Sequence, residues 1–471
     1  MKKQCLAVDI GASSGRLIAG GVETGMLEMV EIHRFDNKII EKNGHFCWDI
    51  EALFSEIKAG IKNCTTHGVI PESIGVDTWA VDFVLLDDND QLLTDAVAYR
   101  DPRTDGVMEE VVSLFMKERL YLETGIQFQK FNTIYQLYAL KKQNPEVLEK
   151  AKTFLMIPDY FHFLLTGKKV NEYTNATTTQ LINAFTRNWD KEIIDALGFN
   201  FEMFQEIKMP KTNLGPLKEE MAAEFGFDMD VILPATHDTG SAVLSIPQLE
   251  DTIYISSGTW SLIGVENYFP ICVTKALDYN FTNEGGMDYQ FRFLKNIMGL
   301  WMIQEVRRNY GYQYSFAELV EMSKGVTEAI SIVDVDDQCF LKPVNMISEI
   351  QRYCKETGQK VPEQPGEIAK CVFESLANSY RKAVSEIEDI FEKEFKSINV
   401  IGGGSQNELL NQLIADVTKK EVYAGPVEAT AIGNIIVQLI ALGEIMDITE
   451  ARKMVKRSFE VKKYVHSLVE R

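Results

Sequence analysis

Short apolar runs broken by glycine turns dominate the start of the chain. Cys5-Leu6-Ala7-Val8-Asp9-Ile10 reads as a buried strand, Gly11-Ala12-Ser13-Ser14-Gly15 as a turn, and residues 16–20 as a second apolar run. Strand, glycine turn, strand predicts a hairpin rather than a strand entering a helix. Residues 27–35 predict a third strand. Over 49–64 the apolar positions Ile50, Leu53, Phe54, Ile57 and Ile61 fall at helical spacing, with Asp49 as cap. Residues 74–79 and 81–86 predict further strands, and 104–150 reads as helical. The apolar stretch 155–165 predicts a helix after Pro158. Residues 232–236 read as a strand ending at His237-Asp238-Thr239-Gly240.

The pattern weakens over 246–251, which sets an expected boundary between a domain of residues 1–246 and one of 247–471. A second strand-turn-strand unit follows: Ile253-Tyr254-Ile255, the turn Ser256-Ser257-Gly258-Thr259, then residues 260–265. A helix starting near Lys295 would put Asn296 and Gln304 on one face. Beyond it the pattern predicts a long helix over 366–393, a strand over 398–401, the run Gly402-Gly403-Gly404, and helices over 407–418 and 429–442. The two hairpins, one near the start of each half, form an internal echo. The architecture it predicts is two similar mixed sheets facing each other across a cleft.

Composition narrows the partners. A chain of 471 residues, 45% hydrophobic and 25% charged, suits two large globular domains. Its formal charge of −21 repels a phosphate backbone, so no nucleic-acid partner is expected. Any phosphorylated ligand must be held locally, by backbone N–H groups, a few basic side chains or a divalent cation. No window is apolar enough for a membrane span, and Met1-Lys2-Lys3-Gln4 runs into a strand rather than a signal peptide. The seven cysteines are scattered and form no CxxC pair. Reduced thiols in the cytoplasm are expected, with Cys354 and Cys371 able to meet in space. Oligomeric state is left open.

The common nucleotide and metal motifs are absent: no G-x-x-x-x-G-K-[ST], no G-x-G-x-x-G, no H-E-x-x-H. The glycine turns remain. In the first, Gly11 and Gly15 permit unusual backbone conformations. Ser13, Ser14 and the turn amides can donate to phosphate oxygens, Arg16 can offset charge, and Asp9 is placed to hold Mg²⁺ through water. A plain hairpin turn explains the same residues. In Ile401-Gly402-Gly403-Gly404-Ser405-Gln406-Asn407 the glycines would admit a flat group and Asn407 would cap a helix facing an anion; a flexible connector is the alternative. In His237-Asp238-Thr239 the carboxylate can take a proton from a hydroxyl while His and Thr bind sugar oxygens, although Asp is common in such turns. Asp77 and Asp82 around Trp79 suit a sugar site, or Trp79 is core. Tyr99-Arg100-Asp101 reads equally as a turn with a local ion pair, and Asn296 and Gln304 as ordinary surface amides.

The order Asp9-Ile10-Gly11-Ala12-Ser13-Ser14-Gly15-Arg16, Ser73-Ile74-Gly75-Val76-Asp77-Thr78-Trp79, His237-Asp238-Thr239, Ser256-Ser257-Gly258-Thr259-Trp260-Ser261 and Gly402-Gly403-Gly404-Ser405-Gln406-Asn407 resembles the FGGY carbohydrate kinases. Longer stretches narrow the resemblance to a ketose-kinase branch, among them Val81-Asp82-Phe83-Val84-Leu85-Leu86, Glu172-Tyr173-Thr174-Asn175-Ala176-Thr177-Thr178-Thr179-Gln180-Leu181 and Leu294-Lys295-Asn296-Ile297-Met298-Gly299-Leu300-Trp301. The resemblance reaches to about residue 445. It implies an α/β fold of two RNase H-like (actin-like ATPase) domains with a ligand cleft between them. ATP and a small-molecule sugar are the implied partners and Mg²⁺ the cofactor. The implied reaction moves the γ-phosphoryl of ATP to a ketose 1-hydroxyl.

Residue by residue, the resemblance implies that Ala12, Ser13, Ser14, Gly15 and Arg16 hold the ATP phosphates. Thr259, Gln304 and Gly403 would contact the nucleotide. Ala80, His237, Asp238, Thr239 and Asn296 would line the sugar site, with Asp238 as catalytic base. Ala80 departs from a branch that often carries Gly there, and its methyl is expected to narrow the sugar site slightly. The alternatives are another ketose or polyol such as L-fuculose or D-xylulose, an actin-like ATPase whose output is motion or assembly, and a sugar-sensing repressor. The last would need a basic DNA-binding appendage.

Overall fold

A computed structural model describes residues 3–247, 251–328 and 331–467; residues 248–250, at the expected boundary, lie outside the described residues. The chain forms two compact units. The first comprises Met1–Ser245 with Glu266–Phe293 and Ala429–Ser458; the second comprises Ile246–Val265, Leu294–Glu428 and Phe459–Arg471. The chain thus leaves the first unit at Ser245 and returns to it over Glu266–Phe293 and Ala429–Ser458.

The first unit is built on a six-stranded sheet. Its order is Asn213–Pro216, Asp230–Ile232, Ser73–Thr78, Cys5–Ile10, Ser14–Glu23, Met26–Asp36. The first hairpin forms as expected, with Ile10 opposite Gly15, and Cys5–Ile10 runs parallel to Ser73–Thr78. All six residues of Cys5–Ile10 are buried, as in a strand covered on both faces. Helix Ile50–Thr66 covers one face, where a Cβ on Gly60 would meet the Leu17 side chain at 2.5 Å. Helix Ala429–Ala441 covers the other, where a Cβ on Gly20 would meet Ile435 at 2.7 Å. A polar chain pins this second helix to the sheet. Ser73 Oγ donates to Gln438 (2.7 Å), Gln438 Nε2 to Asn434 Oδ1 (2.7 Å), and Asn434 Nδ2 to Asp77 Oδ2 (2.6 Å).

The second unit repeats the plan. The seven-stranded sheet runs in the order Thr282–Gly285, Phe291–Met298, Trp260–Asn267, Thr252–Ser257, Ser397–Ile401, Glu421–Ala424, Lys462–Tyr464. Thr252–Ser257 again forms an antiparallel hairpin with the next strand and pairs in parallel with a third. The long helix is Pro365–Phe391, and Asn407 caps Glu408–Thr418 by accepting from Leu410 N (3.1 Å).

Two expectations need correction. Neither Gly11 nor Gly15 adopts a left-handed backbone. Gly15 is glycine because a Cβ there would strike the Phe35 ring at 2.2 Å. The helix expected from Lys295 is absent as well: Phe291–Met298 is a strand, and the helix, Trp301–Asn309, begins only after Gly299. Asn296 and Gln304 therefore sit on different elements.

Candidate active site

The first unit gathers its polar groups where neighbouring strands end. Asp9 lies opposite Arg16 across the hairpin and opposite Asp77 on the parallel side. His237 bridges to Thr78, and Thr78 N donates to Thr236 O (2.9 Å). Helix Asp238–Leu244 opens directly at the next residue. The expected Asp9, Arg16, His237, Asp238 and Thr239 thus come from adjoining strand ends.

Arg16 donates to Asp9 Oδ2 from Nε (2.9 Å) and Nη2 (2.7 Å). Ala12, Ser13 and Ser14 form the turn beside them. Gly11 N donates to Ser14 O (2.9 Å), and Asn37 ties the turn down through bonds to Ser13 O (3.0 Å) and Gly11 O (2.8 Å). Asp77 is fully buried, and its Oδ1 has no hydrogen-bond partner. Burial, then the Asp9 charge, holds its carboxyl well above the usual range. Burial also pushes Asp238 up to about 6, and the Asp9 charge adds to the shift.

Two residues missed by sequence reasoning complete this cluster. Glu284 stands on Thr282–Gly285 and Arg292 on the adjacent Phe291–Met298. Arg292 Nη2 lies 3.0 Å from His237 Nδ1 and 3.1 Å from Glu284 Oε2, and its Nη1 lies 3.1 Å from Thr239 Oγ1. His237 Nε2 is 2.9 Å from Thr239 Oγ1 and 3.5 Å from Asp238 Oδ1. Burial works against ionisation of Glu284, but the Arg292 guanidinium leads the opposing effects and the carboxyl is held below its ordinary value. A lone arginine inside the apolar run Phe291-Arg292-Phe293-Leu294 was the available signal, since arginine is seldom buried unless paired.

Glu172 holds the segment from behind. Fully buried, it accepts from Thr236 N (2.9 Å) and Oγ1 (2.7 Å) and from Thr174 N (2.9 Å), and Thr174 Oγ1 also donates to it. Asp82, by contrast, is consumed in the core. It accepts from Trp48 Nε1 (2.6 Å), Trp79 Nε1 (2.9 Å), Tyr99 N (3.1 Å) and Gln136 Nε2 (3.0 Å). The core reading of Trp79 holds, for its side chain is buried against Trp48. Half-buried Ala80 lies between Trp79 and Val81, whose left-handed φ of 64° is uncommon for a β-branched residue. Asp101 caps the turn Pro102–Thr104.

Thr259, Gln304 and Gly403 all lie in the second unit. Leu300 N donates to Gly258 O (3.0 Å) and Trp301 N to Thr259 O (3.1 Å), so the helix bearing Gln304 starts on the turn bearing Thr259. Gly299 permits this approach: a Cβ there would lie 2.6 Å from Trp260 C. The three glycines of 402–404 differ in purpose. Gly402 has φ 82°, Gly404 would put a Cβ 2.0 Å from Ser257 Oγ, and Gly403 faces open space where a flat group has room. Asn296 lies half-buried in this unit, on Phe291–Met298.

Among the described residues no three His, Cys, Asp or Glu side chains are grouped to hold a metal unaided. Asp9 with the orphaned Asp77 Oδ1 suits a hard cation that keeps waters and borrows phosphate oxygens, the habit of magnesium. The seven cysteines are free thiols, Cys354 and Cys371 included. No helix among the described residues is long and apolar enough to cross a membrane.

A carboxylate beside a histidine and a threonine, next to a tight serine-bearing turn, suits a phosphotransferase acting on an alcohol, and comparison with known proteins gives that class. Residues 4–245 match the N-terminal domain of the FGGY family of carbohydrate kinases, and residues 253–442 its C-terminal domain. The chain belongs to that family and has its two-domain, actin-like ATPase type of fold. A gluconate kinase from Lactobacillus acidophilus superimposes with TM-score 0.81 at 19% identity, covering 99% of this chain and 94% of that one. Within the family the similarity is narrower. The rhamnulokinase of Halalkalibacterium halodurans is 74% identical over 98% of both chains, and that of Bacillus subtilis 45% identical over 99% of this chain and 96% of its own.

Proposed function

We propose that this chain transfers the γ-phosphoryl of ATP to the 1-hydroxyl of L-rhamnulose, giving L-rhamnulose 1-phosphate and ADP in the breakdown of L-rhamnose. Identity of 74% to a rhamnulokinase over nearly the whole chain supports the substrate. The observation that carries the chemistry is the placing of Asp238 at the first residue of helix Asp238–Leu244, 3.5 Å from His237 Nε2 and next to Thr239, where burial pushes its carboxyl up to about 6, ionised at neutral pH yet able to accept a proton. Asp238 takes the proton of the sugar hydroxyl as that oxygen attacks the γ-phosphorus. The bond from phosphorus to the β–γ bridging oxygen breaks, ADP departs, and Asp238 returns its proton to solvent.

The other residues bind and orient. His237, Thr239, Ala80 and Asn296 line the sugar. The amides of Ala12 to Gly15, with Ser13, Ser14 and Arg16, hold phosphate oxygens in line. Thr259, Gln304 and Gly403 hold the nucleotide. Asp9 would hold Mg²⁺ through water, and the cation, when bound, offsets phosphate charge that a chain of net charge −21 cannot offset itself. Seven free thiols suit work in the cytoplasm.

A coupled ADP-release assay with ATP and Mg²⁺ tests the reading. L-rhamnulose should support the highest kcat/KM in a panel that includes L-fuculose and D-xylulose. Preference for another sugar refutes the substrate, and turnover independent of sugar refutes the kinase.

A further inference from the structure

We propose that Arg292, together with Glu284, is a positioning residue: it fixes His237 in the neutral tautomer protonated on Nε2, and so leaves the Thr239 hydroxyl to donate its hydrogen to an oxygen of the ketose. The last step rests on the ketose-kinase reading above; the tautomer does not.

A guanidinium is always protonated and has no lone pair to offer. At 3.0 Å from Arg292 Nη2, His237 Nδ1 must therefore accept. The imidazole proton then sits on Nε2, 2.9 Å from Thr239 Oγ1, and is donated there. Arg292 Nη1 donates to the same oxygen at 3.1 Å. A hydroxyl has two acceptor sites and one hydrogen. Both acceptor sites of Thr239 are filled by protein, so its hydrogen points to a third group. Thr239 is half-buried and adjoins Asp238, where the sugar hydroxyl must lie for proton transfer.

Glu284 makes the arrangement a choice rather than a default. Its Oε2 stands 3.3 Å from His237 Nδ1 and would capture an Nδ1 proton if nothing competed. Arg292 competes from 3.1 Å, and its side chain is locked, 1% exposed, with Nε donating to Gly285 O at 3.0 Å. Without Arg292 the proton moves to Nδ1 and faces Glu284. Nε2 becomes an acceptor, Thr239 turns its hydrogen inward to it, and the sugar loses a donor.

The test is nitrogen-15 NMR of the histidine side chains in the full chain without ligands, with His237 assigned among the six histidines by its loss in His237→Gln. Wild type should show Nε2–H. Arg292→Met should show Nδ1–H, and its KM for L-rhamnulose should rise roughly tenfold, the worth of one hydrogen bond, with KM for ATP unchanged. Arg292→Met with Glu284→Gln removes both buried charges and puts an amide donor beside Nδ1; it should return His237 to Nε2–H and recover most of the sugar KM. A wild-type spectrum with Nδ1–H overturns the proposal without any variant, as does an Arg292→Met protein whose tautomer is unchanged. A double variant that stays Nδ1–H overturns the part given to Glu284. If Arg292→Met does not fold, the wild-type spectrum and the charge-neutral double variant decide. Wild type that shows Nε2–H but ignores L-rhamnulose sinks the substrate reading alone.

Discussion

In the proposed reaction a single carboxylate takes the sugar proton, and its surroundings set the pH dependence expected. In that role Asp238 must be ionised to accept the proton, and burial pushes its carboxyl up to about 6. The acid limb of kcat/KM should therefore break near pH 6, with activity falling as pH drops below it; a rate profile read across that range checks this. Asp238→Asn should cut kcat by about 10²–10⁴-fold while nucleotide titration shows ATP binding intact. The residues around Asp238 were unequally legible. His237, Asp238 and Thr239 are contiguous and carry their chemistry in one tripeptide. Arg292 and Glu284 reach the same point from more than forty residues away, and only folding brings them there. Asp82 shows the reverse failure: its carboxylate looked available beside Trp79 and is spent on two indoles.

At the scale of elements, the proposed role of Asp238 depends on how closely two helices approach. Helix Asp238–Leu244 packs on Ala429–Ala441 at Gly433, where a Cβ would lie 1.8 Å from Ser241 O. Gly433→Ala must push apart the helix that begins with Asp238. Overpacking of this kind costs about 1–3 kcal/mol, so thermal unfolding should begin several degrees lower and kcat should fall. An unchanged melting curve and rate would show that the contact relaxes freely. The hairpins that frame both sites were readable because their signal is local, apolar strands on either side of a short turn. The strand bearing Asn296 was not. Its apolar pattern suits either element, and what ends it is Gly299, whose role is a backbone approach to Trp260 that no local pattern records.

The whole molecule repeats one plan twice, a hairpin that pairs in parallel with a third strand. The echo and the two matched family domains tell one story, although the returns of Glu266–Phe293 and Ala429–Ser458 to the first unit had no sequence marker. A net charge of −21 opposes the approach of an anionic nucleotide but not of a neutral ketose. Raising ionic strength until the Debye length nears about 8 Å should lower KM for ATP and leave KM for the ketose unchanged in steady-state kinetics. A rising ATP KM would mean that Arg16 and its neighbours, rather than the overall field, govern nucleotide capture. The most direct measurement is phosphorus-31 NMR of the product made from L-rhamnulose, ATP and Mg²⁺. One new phosphomonoester coupled to the two C1 protons, formed in step with ADP, is the result expected. A phosphate on another carbon, or ADP that accumulates with inorganic phosphate and no sugar ester, would contradict it.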